Sequence, residues 1–339
     1  MIAAPIPGLV SVVVASYNHA RFLDRRMESL LRQTYSAIEI IVIDDCSDDI
    51  SVEVLQKYES YPSVRLIVRR KNGGWVAVSN QGAKLARGEY LLFANCDDSC
   101  DPRMIERLVE GLQSRPKAGL SFCRSLMVDA DDAILTEDFA MRTSDFQEYC
   151  RSDVLIPKDV MTRFLLEACV IPNLSAALFR RMAFSQAGAL PTGFLACSDW
   201  DLFFRIVRTQ DVYYVAEPLN HFRQHRNTIR STTKDRVTIE EYLRLLLGHL
   251  DTIEMGPVER GRHRTEIMFL WAVHLLGPRL SGVLDVPLHL RTVLAKDPAA
   301  LVFLPAGIAW RVAQIGWKLV SGRRASVEEK SAMAPSSVR

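Results

Sequence analysis

The chain has 339 residues, 48% of them hydrophobic, with 42 Lys and Arg against 40 Asp and Glu and a net charge of +2. That length suits one large α/β domain with an appendage, or two domains. The balanced charge speaks against a nucleic-acid partner, which would call for a clear basic excess. The seven cysteines are scattered and lack the second close pair that a zinc site needs, so they read as reduced thiols of a cytosolic protein.

The N-terminal stretch MIAAPIPGLVSVVVAS is apolar but has no basic n-region and runs directly into a strand pattern, so it does not read as a signal peptide. No uninterrupted apolar run of about 18 residues occurs, and no spanning helix is expected. The expected location is the cytoplasm, with the inner face of the membrane as the alternative. Residues 9–15, LVSVVVA, predict a strand buried on both faces. RFLDRRMESLLRQ follows with Phe22, Met27, Leu30 and Leu31 at helical spacing. IEIIVIDD (38–45) predicts a second buried strand, 51–59 a helix, VRLIV (64–68) a third strand, GWVAVSNQGAKLA (74–86) a helix and YLLFAN (90–95) a fourth strand. Asp101 is placed to cap the next helix, with Pro102 in its first turn.

Strands alternating with helices predict an α/β fold with a doubly wound, mostly parallel sheet. Ligands of such sheets bind outside the carboxyl ends of the strands. Three of those ends are polar: SYN (16–18), DDCSDD (44–49) and NCDD (95–98). One acidic turn is commonplace, whereas three at one edge mark a candidate site.

After residue 119 the pattern changes. GLSFCRSLMVD predicts a strand, 129–155 an irregular polar stretch and PKDVMTRFLLEAC a helix. LSAALFRR (174–181) predicts a strand or strand–helix junction, and SDWDLFFRIVR (198–208) an amphipathic helix capped by Ser198. DVYYVAE and LNHFRQH predict two short strands, and from about 235 the chain reads as helical. Residues 306–324 align Ile308, Val312, Ile315 and Leu319 on one stripe and Arg311, Gln314 and Lys318 on another, with Trp310 and Trp317 between. Two readings compete there: a helix lying in a membrane interface, and one packing its stripe on the catalytic domain. The polar tail, 325–339, is expected to be disordered.

No Gly-rich turn follows the first strand and no P-loop is present. A divalent cation on carboxylates is the remaining common way to hold a diphosphate. Asp97 and Asp98 are placed for it.

These segments resemble a known family. VSVVVASYNHARFLDRRMESLLRQTYSAIEIIVIDDCSDD is similar to the opening of the inverting glycosyltransferases of family two, which have the GT-A fold. NGGWVAVSNQGAKLARGEYLLFANCDD is similar to that family's N-x-G segment, A-x-G-E-Y strand and DxD motif, SDWDLFFRI to its E-D-W-D-L helix, and HFRQHRNTIRS to its R-x-H segment. The resemblance covers roughly residues 9–231 and implies a GT-A domain over 1–232, leaving a helical region over 233–324.

The resemblance also implies roles. Tyr17 and Asn18 would lie near the nucleobase, Asp45 would accept hydrogen bonds from a uracil ring, and Asp44 would support the turn. Asn72 and Asn80 match asparagines of the third segment, with helix-cap and helix-surface roles competing. Asp97 would be the metal ligand of DxD, with Asp98 assisting or capping the turn. Arg223 and His225 would contact the diphosphate or the metal, against a plain surface R-x-H. Asp199 would be the general base; as a first-turn acid it also suits the helix dipole, although Asp201 fits that role better.

The expected cofactor is Mn²⁺ or Mg²⁺. The expected donor is a nucleotide sugar, UDP-linked, and the acceptor a hydroxyl of a glycan or glycolipid of a surface polysaccharide. Three positions depart from the family pattern: Asn95 replaces the first acid of DxD, Ser198 the acid before the base, and Ser79 an arginine. Asn95 and Ser198 motivate a second class, a catalytically silent sugar-nucleotide-binding or scaffold protein. Asn95→Asp adds a charged oxygen ligand and is expected to tighten Mn²⁺ binding, with activity rising or holding. A third class, a nucleotidyltransferase, calls for a Gly-rich basic N-terminal loop that is missing.

Overall fold

The computed structural model describes residues 4–226, 228, 232–276, 283 and 285–313. The chain divides into two compact units, Met1–Thr232 and Thr233–Arg339.

The first unit opens with β1 (Ile6–Ser16), α1 (Ala20–Leu31), β2 (Ile38–Asp44), α2 (Ser51–Gln56), β3 (Val64–Val68), α3 (Trp75–Leu85) and β4 (Gly88–Asn95). Val12 and Val13 point to opposite faces of the sheet, yet both are buried, as are Ile40 to Ile43. Helices cover both sides of these strands, which is why they read as continuous apolar runs. α3 sits unusually close to β1: a Cβ on Gly82 would lie 2.2 Å from Cγ1 of Val13.

The unit continues with β5 (Ser99–Cys100), α4 (Met104–Ser114), β6 (Ala118–Val128), β7 (Ile134–Glu137), α5 (Ser144–Tyr149), β8 (Val154–Ile156) and α6 (Lys158–Glu167). β9 (Ala177–Arg180), α7 (Arg181–Ala187), α8 (Ser198–Val207) and β10 (Asp211–Arg223) complete it. The sheet order is β3-β2-β1-β4-β9-β6-β10-β5, with β7 added to β6 and β8 to β10. The long ladders of β1 with β2 and β4, and of β6 with β10, are parallel. β9 runs antiparallel between β4 and β6. The sheet is therefore mixed and mostly parallel, with a helical region after it, as the α/β reading expects.

Local differences have local causes. The stretch 129–155 is not irregular throughout; it forms β7, α5 and β8. The two short strands expected across 211–225 are one, β10, whose register shifts on either side of Pro218. Pro218 keeps its place opposite Arg124 while the register passes over Ala216, Glu217 and Leu219, so the strand bulges there without ending. α4 starts at Met104 because Asp101 Oδ1 accepts from the N–H of Arg103, 2.8 Å, and forms a turn ahead of the helix. Ser198 is not a cap either: its Oγ donates to the carbonyls of Pro191 (2.7 Å) and Phe194 (3.2 Å), tying the preceding loop to the start of α8. None of the seven cysteines is in a disulfide.

The second unit contains α9 (Asp235–Leu250), α10 (Pro257–Leu275), α11 (Val286–Lys296) and a 3₁₀ turn (Pro298–Phe303), then a helix described from 304 to 313. Leu243, Leu246, Leu247, Leu250, Met268, Trp271 and Val293 form its interior. Gly307 lets the last helix approach α10, since a Cβ there would meet the backbone N of Phe269 at 2.7 Å. Trp310 stacks on Phe269 with centroids 4.6 Å apart. Residues 314–339 lie outside the described residues, including the rest of the 306–324 stripe and the 325–339 tail. No helix among the described residues is long and apolar enough to cross a membrane.

Candidate active site

The carboxyl ends of β1, β2 and β4 are flush, because Ser16 pairs with Asp44 and Ala15 with Asn95. Their three polar turns therefore leave from one edge. The first two are sewn together. Asn18, at φ +52°, donates its N–H to Ser47 Oγ (3.0 Å), and its Oδ1 accepts from the N–H of Asp48 (2.9 Å). Asp44 is fully buried and accepts from Ser47 N (2.9 Å), Ser47 Oγ (2.6 Å) and Ser16 Oγ (3.3 Å), so it builds the turn. Tyr17 stands on this turn and is 43% exposed.

Asp45 faces the other way. Its carboxylate takes the N–H groups of Gly73 (3.0 Å) and Gly74 (2.7 Å) and pairs with Arg69. Three donors on about four lone-pair positions leave room for one more. Gly74, at φ +83°, caps α3, a conformation that glycine adopts without strain, and its N–H also reaches Asn72 Oδ1 at 3.1 Å. Asn80, further along α3, is used structurally: it donates to the carbonyl of Leu190 (2.8 Å) and accepts from its N–H (3.0 Å). Trp75 Nε1 donates to the carbonyl of Leu195 at 3.3 Å. α3 thus grips the loop leading into α8, whose first turn carries Asp199, half-buried and accepting from the N–H of Trp200 at 2.8 Å.

The third turn divides its two acids. After NCDD the chain forms β5, which pairs antiparallel with β10, and this brings residues 223–225 back beside 97–98. Asp98 is buried. Its carboxylate accepts from Arg223 N (2.9 Å), Asn173 Nδ2 (2.8 Å) and Asn95 Nδ2 (3.3 Å). Burial, and then the neighbouring Asp97, push its pKa up to about 6. Among the described residues Asp98 is in no group of candidate metal ligands; it turns inward and holds β4 to β10. Asn95 likewise spends its amide on Asp98. An acid at 95 would set a second carboxylate against this one, so the departure from DxD serves the interior.

Arg223 also differs from its expected role. It is 1% exposed and donates to the carbonyls of Asp97 (2.7 Å) and Asp129 (2.6 Å), besides pairing with Asp132. The guanidinium braces the turn, its donors engaged by Asp97, Asp129 and Asp132.

Asp97 turns outward. Its Oδ2 lies 3.0 Å from His225 Nε2, and a ring nitrogen of His19 joins them; the three donor atoms lie within 4.8 Å of one another. Burial raises the Asp97 pKa, but the hydrogen bond from His225 and the charges of both histidines outweigh it, so the net shift is downward. A carboxylate held ionised beside two imidazoles suits a divalent transition ion. His19 was not among the expected ligands. Its only signal was its place in SYNHARF, directly after a strand end at this edge.

Residues 11–185 match the family model Glycosyl transferase family 2. An uncharacterized glycosyltransferase of Haemophilus influenzae is 26% identical over 240 residues, 70% of this chain and 76% of that protein. Residues 1–349 of S. aureus TarS, in complex with UDP-GlcNAc, superpose with a TM-score of 0.66 at 14% identity, covering 93% of this chain and 92% of that one. The mannosyltransferase PcManGT from Pyrobaculum calidifontis, in complex with GDP-Man and Mn²⁺, superposes with a TM-score of 0.53 at 17% identity, covering 96% and 87%. At those identities the two structures show a shared fold.

Proposed function

The chain belongs to glycosyl transferase family 2 and is a glycosyltransferase, and on that premise we propose that it transfers a sugar, with inversion, from a UDP-linked donor to a hydroxyl of a glycan or lipid-linked acceptor. The observation that carries the reading is Asp97 Oδ2 at 3.0 Å from His225 Nε2, on the sheet edge where the turns at 17–19 and 45–50 also emerge. Tyr17 and the remaining acceptor position of Asp45 would meet the nucleobase, Asn18 and Asp44 would shape that turn, and Asn72 would fix the entry to α3. Asp97 and His225 would hold a divalent cation. When bound, such an ion offsets the charge that develops on a leaving diphosphate.

Asp199 is the proposed general base. As the acceptor oxygen bonds to the anomeric carbon, the sugar–phosphate bond breaks and the hydroxyl proton passes to the Asp199 carboxylate. The carboxylate must be near the proton only while the new bond forms, so the first turn of a rigid helix is a suitable mount. TarS in complex with UDP-GlcNAc and PcManGT in complex with GDP-Man and Mn²⁺ support the donor class and the cation. The unit Met1–Thr232 is proposed as the catalytic domain.

Incubation with UDP-sugars and Mn²⁺ tests the reading. Free UDP is expected. Release of sugar-1-phosphate, the uridylyl group having moved elsewhere, would point to nucleotidyl transfer, and sugar-nucleotide binding without UDP release would point to a silent binding protein.

A further inference from the structure

We infer that His19 is a third protein ligand of the cation, and that the resulting two-imidazole, one-carboxylate set selects a divalent transition ion over Mg²⁺. The inference rests on the reading of Asp97 and His225 as a cation site and adds to it a residue and a selectivity.

Two independent features prepare His19. Its Nδ1 lies 2.6 Å from the carbonyl oxygen of Tyr17. A carbonyl only accepts, so Nδ1 carries a proton, and in the neutral ring Nε2 is the nitrogen left with a lone pair. A backbone carbonyl that fixes the tautomer is the usual partner of a metal-binding histidine. The second feature is the ring packing. Phe22 lies 6.2 Å from His19 and 4.9 Å from His225 between centroids, and the two imidazoles meet edge-to-face at 5.5 Å. Three rings from α1, the turn before it and the segment after β10 therefore restrict one another, so little side-chain freedom remains to be lost when an ion binds.

The distances suit one ion. Bonds of about 2.0–2.2 Å to His and Asp place neighbouring donors about 3 Å apart. Asp97 and His225 are already at 3.0 Å, and the full set spans no more than 4.8 Å. The donor chemistry then decides the metal. Mg²⁺ demands oxygen ligands in near-ideal octahedral geometry. Imidazole suits zinc, copper, iron and nickel, and two imidazoles with one carboxylate is a set that holds a divalent transition ion and leaves positions open. Those positions suit diphosphate oxygens. The same set explains how the site does without an acid at 95: an imidazole from the first turn supplies a ligand that this chain lacks at Asn95.

The test titrates the full-length chain with metal alone, following heat and the visible absorption of Co²⁺. Wild type is expected to bind Co²⁺ and Mn²⁺ at least about tenfold tighter than Mg²⁺, and His19→Ala to weaken Co²⁺ by roughly 10–100-fold while leaving Mg²⁺ unchanged. His19→Asp, which offers a hard oxygen from the same turn, should shift the preference toward Mg²⁺, an outcome that requires a folded protein. If His19→Ala keeps the wild-type Co²⁺ affinity and spectrum while Asp97→Ala and His225→Ala lose them, the inference is overturned and the donor-site reading stands. If Asp97→Ala binds Co²⁺ like wild type, the cation reading falls and the inference with it. Equal affinity of the wild type for Mg²⁺ and Co²⁺ would also overturn it.

Discussion

Asp97 and Asp98 are neighbours of the same residue type and are opposite in structure. What separates them lies far along the chain: the N–H of Arg223 takes Asp98 inward, and the ring of His225 meets Asp97 outside. The expectation that Asn95→Asp would tighten Mn²⁺ therefore reverses. Asn95 Nδ2 is a donor to Asp98, whose pKa burial already pushes up to about 6. A carboxylate there removes that donor and adds a like charge, so Asn95→Asp should cost about 1–3 kcal/mol. A lower midpoint in a urea titration at pH 7.5 checks this, and an unchanged midpoint would return Asn95 to the metal side. Asp199→Asn should lower turnover by roughly 10²–10⁴-fold while calorimetry finds UDP affinity intact. Normal turnover in that variant would pass the role to another acid. His19 shows the limit of reading residues singly, since no local pattern marks one histidine as a ligand until the fold brings two others beside it.

At the scale of elements, legibility followed burial. β1, β2 and β4 are covered on both faces, so their apolar runs were unmistakable, and their flush ends followed from parallel pairing. β10 reads as two strands in sequence because Pro218 interrupts the pattern, whereas in the sheet the register only shifts on either side of it. The α3 segment was recognised as a helix, but its role as a clamp between Asp45 and the 190–195 loop depends on contacts more than a hundred residues apart in sequence, such as Asn80 with Leu190. Its closeness to β1 is testable. At Gly82 an added Cβ would lie 2.2 Å from a methyl of Val13, itself buried and β-branched. Val13 has few rotamers to escape into. Gly82→Ala should therefore destabilise by about 1–3 kcal/mol, despite alanine's better helix propensity. Denaturant titration decides between the two effects, and a stabilised variant would mean that α3 can shift outward.

For the whole molecule, the two units differed in how much their sequences disclosed. The first carries motifs whose residue types are dictated by strand ends and turns. The second is a set of helices whose apolar positions report packing and little else, so its helical character was readable and its internal contacts were not. Its buried histidines illustrate this and set a pH response. His289 is fully buried; its Nε2 lies 3.0 Å from the carbonyl of Arg236, and its Nδ1 has no hydrogen-bond partner among the described residues. His274 packs edge-to-face against it at 5.2 Å and itself meets Asp285 at 3.1 Å. Burial is the main cause that lowers the His289 pKa, and His274 adds to it, while the Arg236 carbonyl and the charges of Asp285 and Glu240 pull the other way. Below the ordinary value of about 6.5, the unfolded chain takes up a proton that the folded unit resists. The contribution of His289 is therefore complete above that pH and is lost as pH falls through the lowered folded value. Thermal unfolding at pH 7.5 and 5.5 should show wild type losing stability between them. His289→Gln has no imidazole to charge, so it should lose less over the same interval whatever its starting stability. An equal loss in both proteins would move the acid sensitivity to other groups.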